Sequence, residues 1–186
     1  MQSVIKNIVF LFAAFIATAA QAKDGRSYLG LDATMPYGAT WQVGSAPDEK
    51  ISAGIPFKLT VGYAFNDRWA FEISRLAVKV SKNGVSESIT AVPVNLVYHI
   101  PLSAQTGLLL NGGLVPFTGK FNSASTDASD SLIGASLGLG IKHQLTESVG
   151  VIGGINYLNG YRYKFSNGNR YDLSPAHVYL GMRLGF

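Results

Sequence analysis

The sequence predicts an all-β protein: an eight-stranded antiparallel up-and-down transmembrane β-barrel behind a cleaved signal peptide. Three observations predict it. The last ten residues alternate strictly, with Val178, Leu180, Met182, Leu184 and Phe186 apolar and His177, Tyr179, Gly181, Arg183 and Gly185 small or polar. The first 22 residues have the layout of a secretory signal. Between the two, seven further segments have strand length, and most repeat the period of two.

Lys6 supplies a short basic region, Ile8 to Ala20 an apolar run of 13 residues, and Ala20-Gln21-Ala22 a small-x-small cleavage site. A membrane anchor needs about 20 apolar residues, so the run reads as a signal peptide over residues 1–22. The barrel domain is then Lys23 to Phe186. Losing Lys6 lowers the formal charge from +4 to +3. Export through the Sec pathway removes nucleic acid from the expected partners. The chain has no cysteine, so no disulfide framework can stabilise it. Charged residues make up 14%, against about a quarter in an ordinary soluble domain.

Tyr28 to Met35 opens the strands, with Leu29, Leu31, Ala33 and Met35 on one face. Phe57 to Phe65 is the cleanest, with Phe57, Leu59, Val61, Tyr63 and Phe65 against Lys58, Thr60, Gly62 and Ala64. Trp69, Phe71 and Ile73 oppose Ala70, Glu72 and Ser74; Val92 to Ile100 opposes Pro93, Asn95, Val97 and His99. Leu108 to Val115 is apolar on both faces and gives no phase. Ile133 to Leu145 and Val149 to Tyr157 alternate again, and the terminal strand makes eight. In hydrocarbon every backbone polar group must be paired, which closes the ring.

The connections alternate in length. Asn66-Asp67-Arg68, Pro101 to Thr106 and Thr146-Glu147-Ser148 are short, the periplasmic pattern. Pro36 to Gly54, Pro116 to Ser131 and Gly160 to Pro175 read as long outer loops, and Asn83-Gly84 as a tight outer hairpin whose strands project as a stalk. The alternation changes phase between Ile73 and Leu76, which predicts either a bulge or an exit from the membrane. No further domain is expected after the barrel.

Val61 to Ile73 (VGYAFNDRWAFEI), Ala91 to Tyr98 (AVPVNLVY) and Gly134 to Val151 (GASLGLGIKHQLTESVGV), together with the terminal strand, carry a resemblance. The chain resembles the OmpA/OmpX/opacity-type eight-stranded outer-membrane barrels over most of its mature length. The resemblance implies an integral outer-membrane protein acting in adhesion or surface protection, without enzymatic activity, cofactor or metal. It implies lipopolysaccharide and other outer-membrane lipids, host surface molecules and the barrel-insertion machinery as partners. Phe186 is expected to be the assembly signal which that machinery reads.

Asp32, Lys58, Glu72, Asn95, His99, Lys142, Asn156 and Arg183 fall on the predicted lumen face. An eight-stranded barrel is too narrow for a water channel, so these residues read as a network of ion pairs and hydrogen bonds. Asp32, Lys58, Glu72, Lys142 and Arg183 are its charged members, and Lys58, Lys142 or Arg183 is the expected partner of Glu72. In the fourth outer loop, Arg162, Lys164 and Arg170 interleave with Tyr161, Tyr163, Phe165 and Tyr171. Cations there suit the phosphates of lipopolysaccharide or an acidic glycan. The competing readings are a small pore and a lipid A deacylase built on Ser174 and His177. Those two are three positions apart, unlike the two-apart pair of such enzymes, and Ser174 reads as loop. No two histidines share a strand with metal-ligand spacing.

Overall fold

The computed structural model describes residues 26–42, 49–50, 55–82, 85–123, 126–159, 161–164 and 170–186; the signal segment 1–22 lies outside them. The strands are β1 (Arg26–Gln42), β2 (Glu49–Lys50), β3 (Phe57–Ala64), β4 (Trp69–Lys82), β5 (Val85–Ala91), β6 (Val94–Pro101), β7 (Thr106–Ser123), β8 (Thr126–Gln144), β9 (Val149–Asn159), β10 (Tyr161–Lys164) and β11 (Arg170–Gly185). Among the described residues there is no helix.

Eleven strands make eight staves. Proline at position 93 has no N–H to give the ladder and splits one stave into β5 and β6. The register runs through the break, with Ile73 opposite Val94 and Leu76 opposite Ala91. β9 and β10 form another stave, and β2 only adds to the outer end of β1. β11 pairs antiparallel with β1, from Tyr28 opposite Gly185 to Gln42 opposite Arg170, which closes the ring. The Phe186 amide donates to the Ser27 carbonyl at 2.9 Å at the seam.

The three short turns repeat one device. The side-chain oxygens of Asn66, Ser103 and Thr146 each accept two amide bonds from the residues two and three positions on, at 2.9–3.3 Å. Such residues hold a turn without help from elsewhere in the chain.

At mid-height the barrel is inside out. Leu31, Leu59, Leu137 and Leu180 are more than half exposed on the outer wall, while Asp32, Lys58, Glu72 and Arg183 are buried within it. That pattern suits hydrocarbon outside and a closed polar filling inside. Beyond Ser74 the polarity reverses. Leu76, Val78, Ile89, Ala91, Val115 and Phe117 are buried, and Arg75 and Lys79 are exposed. The strands have left the membrane, and an apolar core with a polar exterior is what water requires.

This reversal decides between the two readings of the phase change between Ile73 and Leu76, in favour of an exit from the membrane and against a bulge. β4 runs from Trp69 to Lys82 without a register shift against β3, so there is no bulge; the polarity of the surroundings changes and the geometry does not. The long loops are also shorter than expected. β7 runs to Ser123 and β8 starts at Thr126, so most of the Pro116–Ser131 segment is a hairpin. β1 extends to Gln42, and β10 with the start of β11 occupies much of 160–175. Ser174 therefore belongs to β11, beside a register shift where Ala39 faces Leu173 and Tyr37 faces Ala176. In water, segments polar on both faces still pair their backbones, so a loop-like composition concealed strands.

The outer end has two leaves. Above Leu76, β4 pairs only with β5, and above Ala135, β8 pairs only with β7, among the described residues. One leaf is β4–β5–β7–β8, so the β4–β5 hairpin does not project alone. The other is β2–β1–β11–β10.

Candidate functional site

The lumen site is built by register. Asp32 on β1 lies directly opposite Lys58 on β3, and Glu72 on β4 directly opposite Gly62 on β3. Arg183 on β11 lies opposite Gly30 on β1, one inward position below Asp32. Its guanidinium occupies the space a Cβ on Gly30 would need, as the Tyr28 ring does at Gly62.

These placements bring four charges together. Lys58 Nζ is 3.0 Å from Asp32 Oδ2, and Arg183 donates to both Asp32 oxygens, with Nη2 at 3.2 Å from Oδ2. Arg183 Nε stands 3.6 Å from Glu72 Oε1, which accepts the Tyr28 hydroxyl at 3.0 Å. Lys58 also lies over the Tyr179 ring, 4.4 Å from its centroid. Two cations meet two carboxylates, so the cluster is neutral and each charge has the partner that burial demands.

Of the three cations weighed for Glu72, Arg183 reaches it, Lys58 joins Asp32, and Lys142 stands half-buried toward the short-turn end, outside the described ion pairs. Above and beside the cluster, Thr60 bonds Ser74 at 2.9 Å, Asn111 donates to Asn156 at 3.1 Å, and Ser136 donates to Asn95. His99 meets the Asp67 carbonyl at 3.0 Å in the first short turn. Tyr28 is a member the sequence reading missed; its inward parity with Asp32 was the available signal.

At the outer end, three rows cross the β2–β1–β11–β10 leaf. One row is Lys50, Thr40, Asp172 and Arg162; the next is Glu49, Trp41, Tyr171 and Tyr163; the third is Gln42, Arg170 and Lys164. Successive rows of a sheet belong to opposite faces. The cations and aromatics that interleave in the sequence are thereby sorted, with Arg162, Lys164 and Arg170 on one face and Tyr163 and Tyr171 on the other. Phe165 lies outside the described residues. Lys50 and Asp172 join the cation face, and the sequence reading passed over both because it counted cations within one loop.

Among the described residues, the site offers hydrogen bonding and charge. His177 faces inward, buried beside the Tyr179 ring at 6.5 Å between centroids, whereas Ser174 lies at the irregular part of β11. Among the described residues no three His, Cys, Asp or Glu side chains converge as a metal site.

A family model for the outer membrane protein β-barrel domain matches residues 8–186. The chain belongs to the outer-membrane β-barrel family. It is thus an integral outer-membrane protein. Curated proteins gave no match. Among solved structures, the barrel is similar to Neisserial surface protein A, with TM-score 0.63 and 16% identity over 86% of this chain and 97% of that one. The N-terminal barrel of Pseudomonas aeruginosa OprF matches with TM-score 0.58 and 13% identity over 88% and 98%. The attachment invasion locus protein Ail of Yersinia pestis, in complex with the heparin analogue sucrose octasulfate, matches with TM-score 0.56 and 14% identity over 88% and 99%. At these identities the fold is what is shared.

Proposed function

We propose that this protein is a non-enzymatic surface barrel that binds anionic glycans at its outer end, in adhesion or protection of the cell, after Sec export and removal of residues 1–22. The observation that carries this reading is the concentration of Arg162, Lys164 and Arg170 at the outer end of β10 and β11, above a lumen filled by a neutral ion cluster. A filled lumen leaves the outer end as the surface open to ligands. Exposed cations attract polyanions over a distance and then hold sulfate or phosphate by charge-assisted hydrogen bonds. Tyr163, Phe165 and Tyr171 complete the loop. Ail, whose fold this barrel shares, is seen with a heparin analogue. Lipopolysaccharide phosphates and acidic host polysaccharides present the same chemistry, and outer-membrane lipids surround the wall.

Neutralising Arg162, Lys164 and Arg170 together tests the reading. Binding of the wild type to heparin or lipopolysaccharide is expected to fall as salt rises, since exposed charges are screened within about 8 Å at physiological ionic strength. The triple variant is expected to lose that binding while the barrel stays folded. A folded triple variant with wild-type binding and the same salt dependence would remove the loop from the function. Lipid A mass spectra unchanged by deletion of the gene are expected; altered acylation would favour the deacylase reading.

A further inference from the structure

On the outer wall, β4 changes character where its neighbour β3 does not. Phe57 and Leu59 on β3 are 64% and 57% exposed, and Leu31, opposite Leu59 on β1, is 53% exposed. Beside this apolar wall, Arg75 lies directly opposite Leu59, and Arg75, Ala77 and Lys79 are the exposed outward positions of β4 above Ile73. On the other side of β4, half-buried Thr90 faces Ala77 and half-buried Ser88 faces Lys79, both on β5. Two cations thus stand on the strand between an apolar wall and a strip of hydroxyls.

Neither cation has an ion-pair partner among the described residues. The acids with described side chains are elsewhere: Asp32 and Glu72 in the lumen, Asp67 and Glu147 in the short turns. Arg75 and Lys79 stand where hydrocarbon gives way to water. A long basic side chain at that height lays its stem along apolar surface and presents its charge to anionic head groups. Four positions along a strand span about 13 Å. A lipid with one phosphate meets one of the two cations. A disaccharide head group phosphorylated at both ends reaches both.

We propose that Arg75 and Lys79 form a site on the barrel wall for a phosphorylated glycolipid of the lipid A class, with one phosphate to each cation. Its acyl chains lie against Leu31, Leu59 and Phe57, and its sugars against Ser88 and Thr90. The planar guanidinium of Arg75 takes a phosphate by two parallel hydrogen bonds, and Lys79 holds the other as a point charge. A phospholipid with a single phosphate leaves one cation unmatched, so the pair selects the glycolipid. The site shares no residue with the fourth loop, and either reading can fail without the other.

The test titrates the full-length protein in detergent micelles with purified lipids and counts bound lipid by native mass spectrometry. Retained heat-modifiable gel mobility is the control for folding. The probes are lipid A with two phosphates, lipid A with one, and phosphatidylglycerol. The wild type is expected to bind the second about fivefold and the third about tenfold more weakly than the first. R75Q/K79Q is expected to weaken binding of the doubly phosphorylated lipid about tenfold and to erase the preference among the three. R75K/K79R keeps both charges and is expected to retain binding, whereas R68Q, in the first short turn, is expected to leave it unchanged. The acyl-free disaccharide bisphosphate is expected to bind weakly, because the apolar wall then has nothing to hold. Heparin binding by R75Q/K79Q is expected to match the wild type, which separates this site from the outer end. Equal binding of the three lipids by the wild type would overturn the proposal, and that comparison needs no substitution. So would wild-type lipid A binding by folded R75Q/K79Q, or an equal loss from R68Q.

Discussion

Asp32 and Arg183 are 151 positions apart in the chain and form a two-pronged ion pair inside the barrel, with Arg183 Nη2 at 3.2 Å from Asp32 Oδ2. The pair spans the seam between the first and last staves. Two things make it possible: the β1–β11 register, which puts Arg183 opposite Gly30, and the absence of a side chain at Gly30, which leaves room for the guanidinium. The polar filling of the lumen and the closure of the wall are therefore one arrangement.

Removing the shared carboxylate leaves two buried cations with one acid between them. Asp32→Ala is expected to destabilise the barrel by about 3–5 kcal/mol, since breaking a buried ion pair strands its partners. Glu72→Gln is expected to cost less, because Glu72 has Arg183 at 3.6 Å and a hydroxyl donor, whereas Asp32 has two cations in contact. Urea unfolding of both variants in liposomes checks this; an Asp32→Ala barrel as stable as the wild type would contradict it.

Leu137 is 66% exposed on the outer wall, and the adjacent Gly138 faces Asn111 and Asn156 inside. Leu137→Arg near mid-membrane is expected to cost about 2–4 kcal/mol of stability in bilayers. Gly138→Arg is expected to fail by another route, through crowding of the Asn111–Asn156 hydrogen bond, and so to impair folding in detergent as well. A Leu137→Arg barrel that inserts and unfolds like the wild type would show that this wall does not face lipid.

These positions also show what the sequence could reveal. The alternation of Ile133 to Leu145 places Leu137 outward and Gly138 inward, as the structure has them, because lipid on one side imposes a period of two. Leu109 and Leu110 carry no such signal, because both faces of that segment are apolar; β7 buries Leu109 against Val97, Ile152 and Tyr179 and leaves Leu110 outside. The pairing of Asp32 with Lys58 and Arg183 depends on register across the first hairpin and the seam, and composition holds no record of register. At Leu76 the sequence leaves a bulge and a membrane exit equally open, because a change of phase and a change from lipid to water produce the same pattern; only the unbroken β3–β4 register separates them.

The outer leaf is expected to behave as a packed aqueous structure. Phe117 is 1% exposed there, on a strand whose next inward neighbour, Val115, is fully buried. Phe117→Ala is expected to cost about 3–5 kcal/mol, the usual range for emptying a buried aromatic site. The loss is expected to open the outer end to protease while the membrane-embedded staves stay heat-modifiable. Unchanged protease resistance would mean that this core does not hold the leaf together.

Phe186 is 73% exposed, and its amide donates to Ser27 at the seam. We propose that its ring is a signal for assembly, since the backbone bond does not need it. Phe186→Ala is then expected to lower outer-membrane levels and increase periplasmic degradation, with little change in the stability of the protein once refolded. Equal outer-membrane levels of variant and wild type would contradict that role.

The central claim is that a lumen sealed by ion pairs sends function to the outer end. Electrical recording of the purified protein in planar bilayers tests it most directly. The account predicts no single-channel steps for the wild type, because Arg183, Lys58, Asp32 and Glu72 fill the cross-section with paired charges. Reproducible conductance steps from the wild-type barrel would show an open path through that cluster and contradict the account.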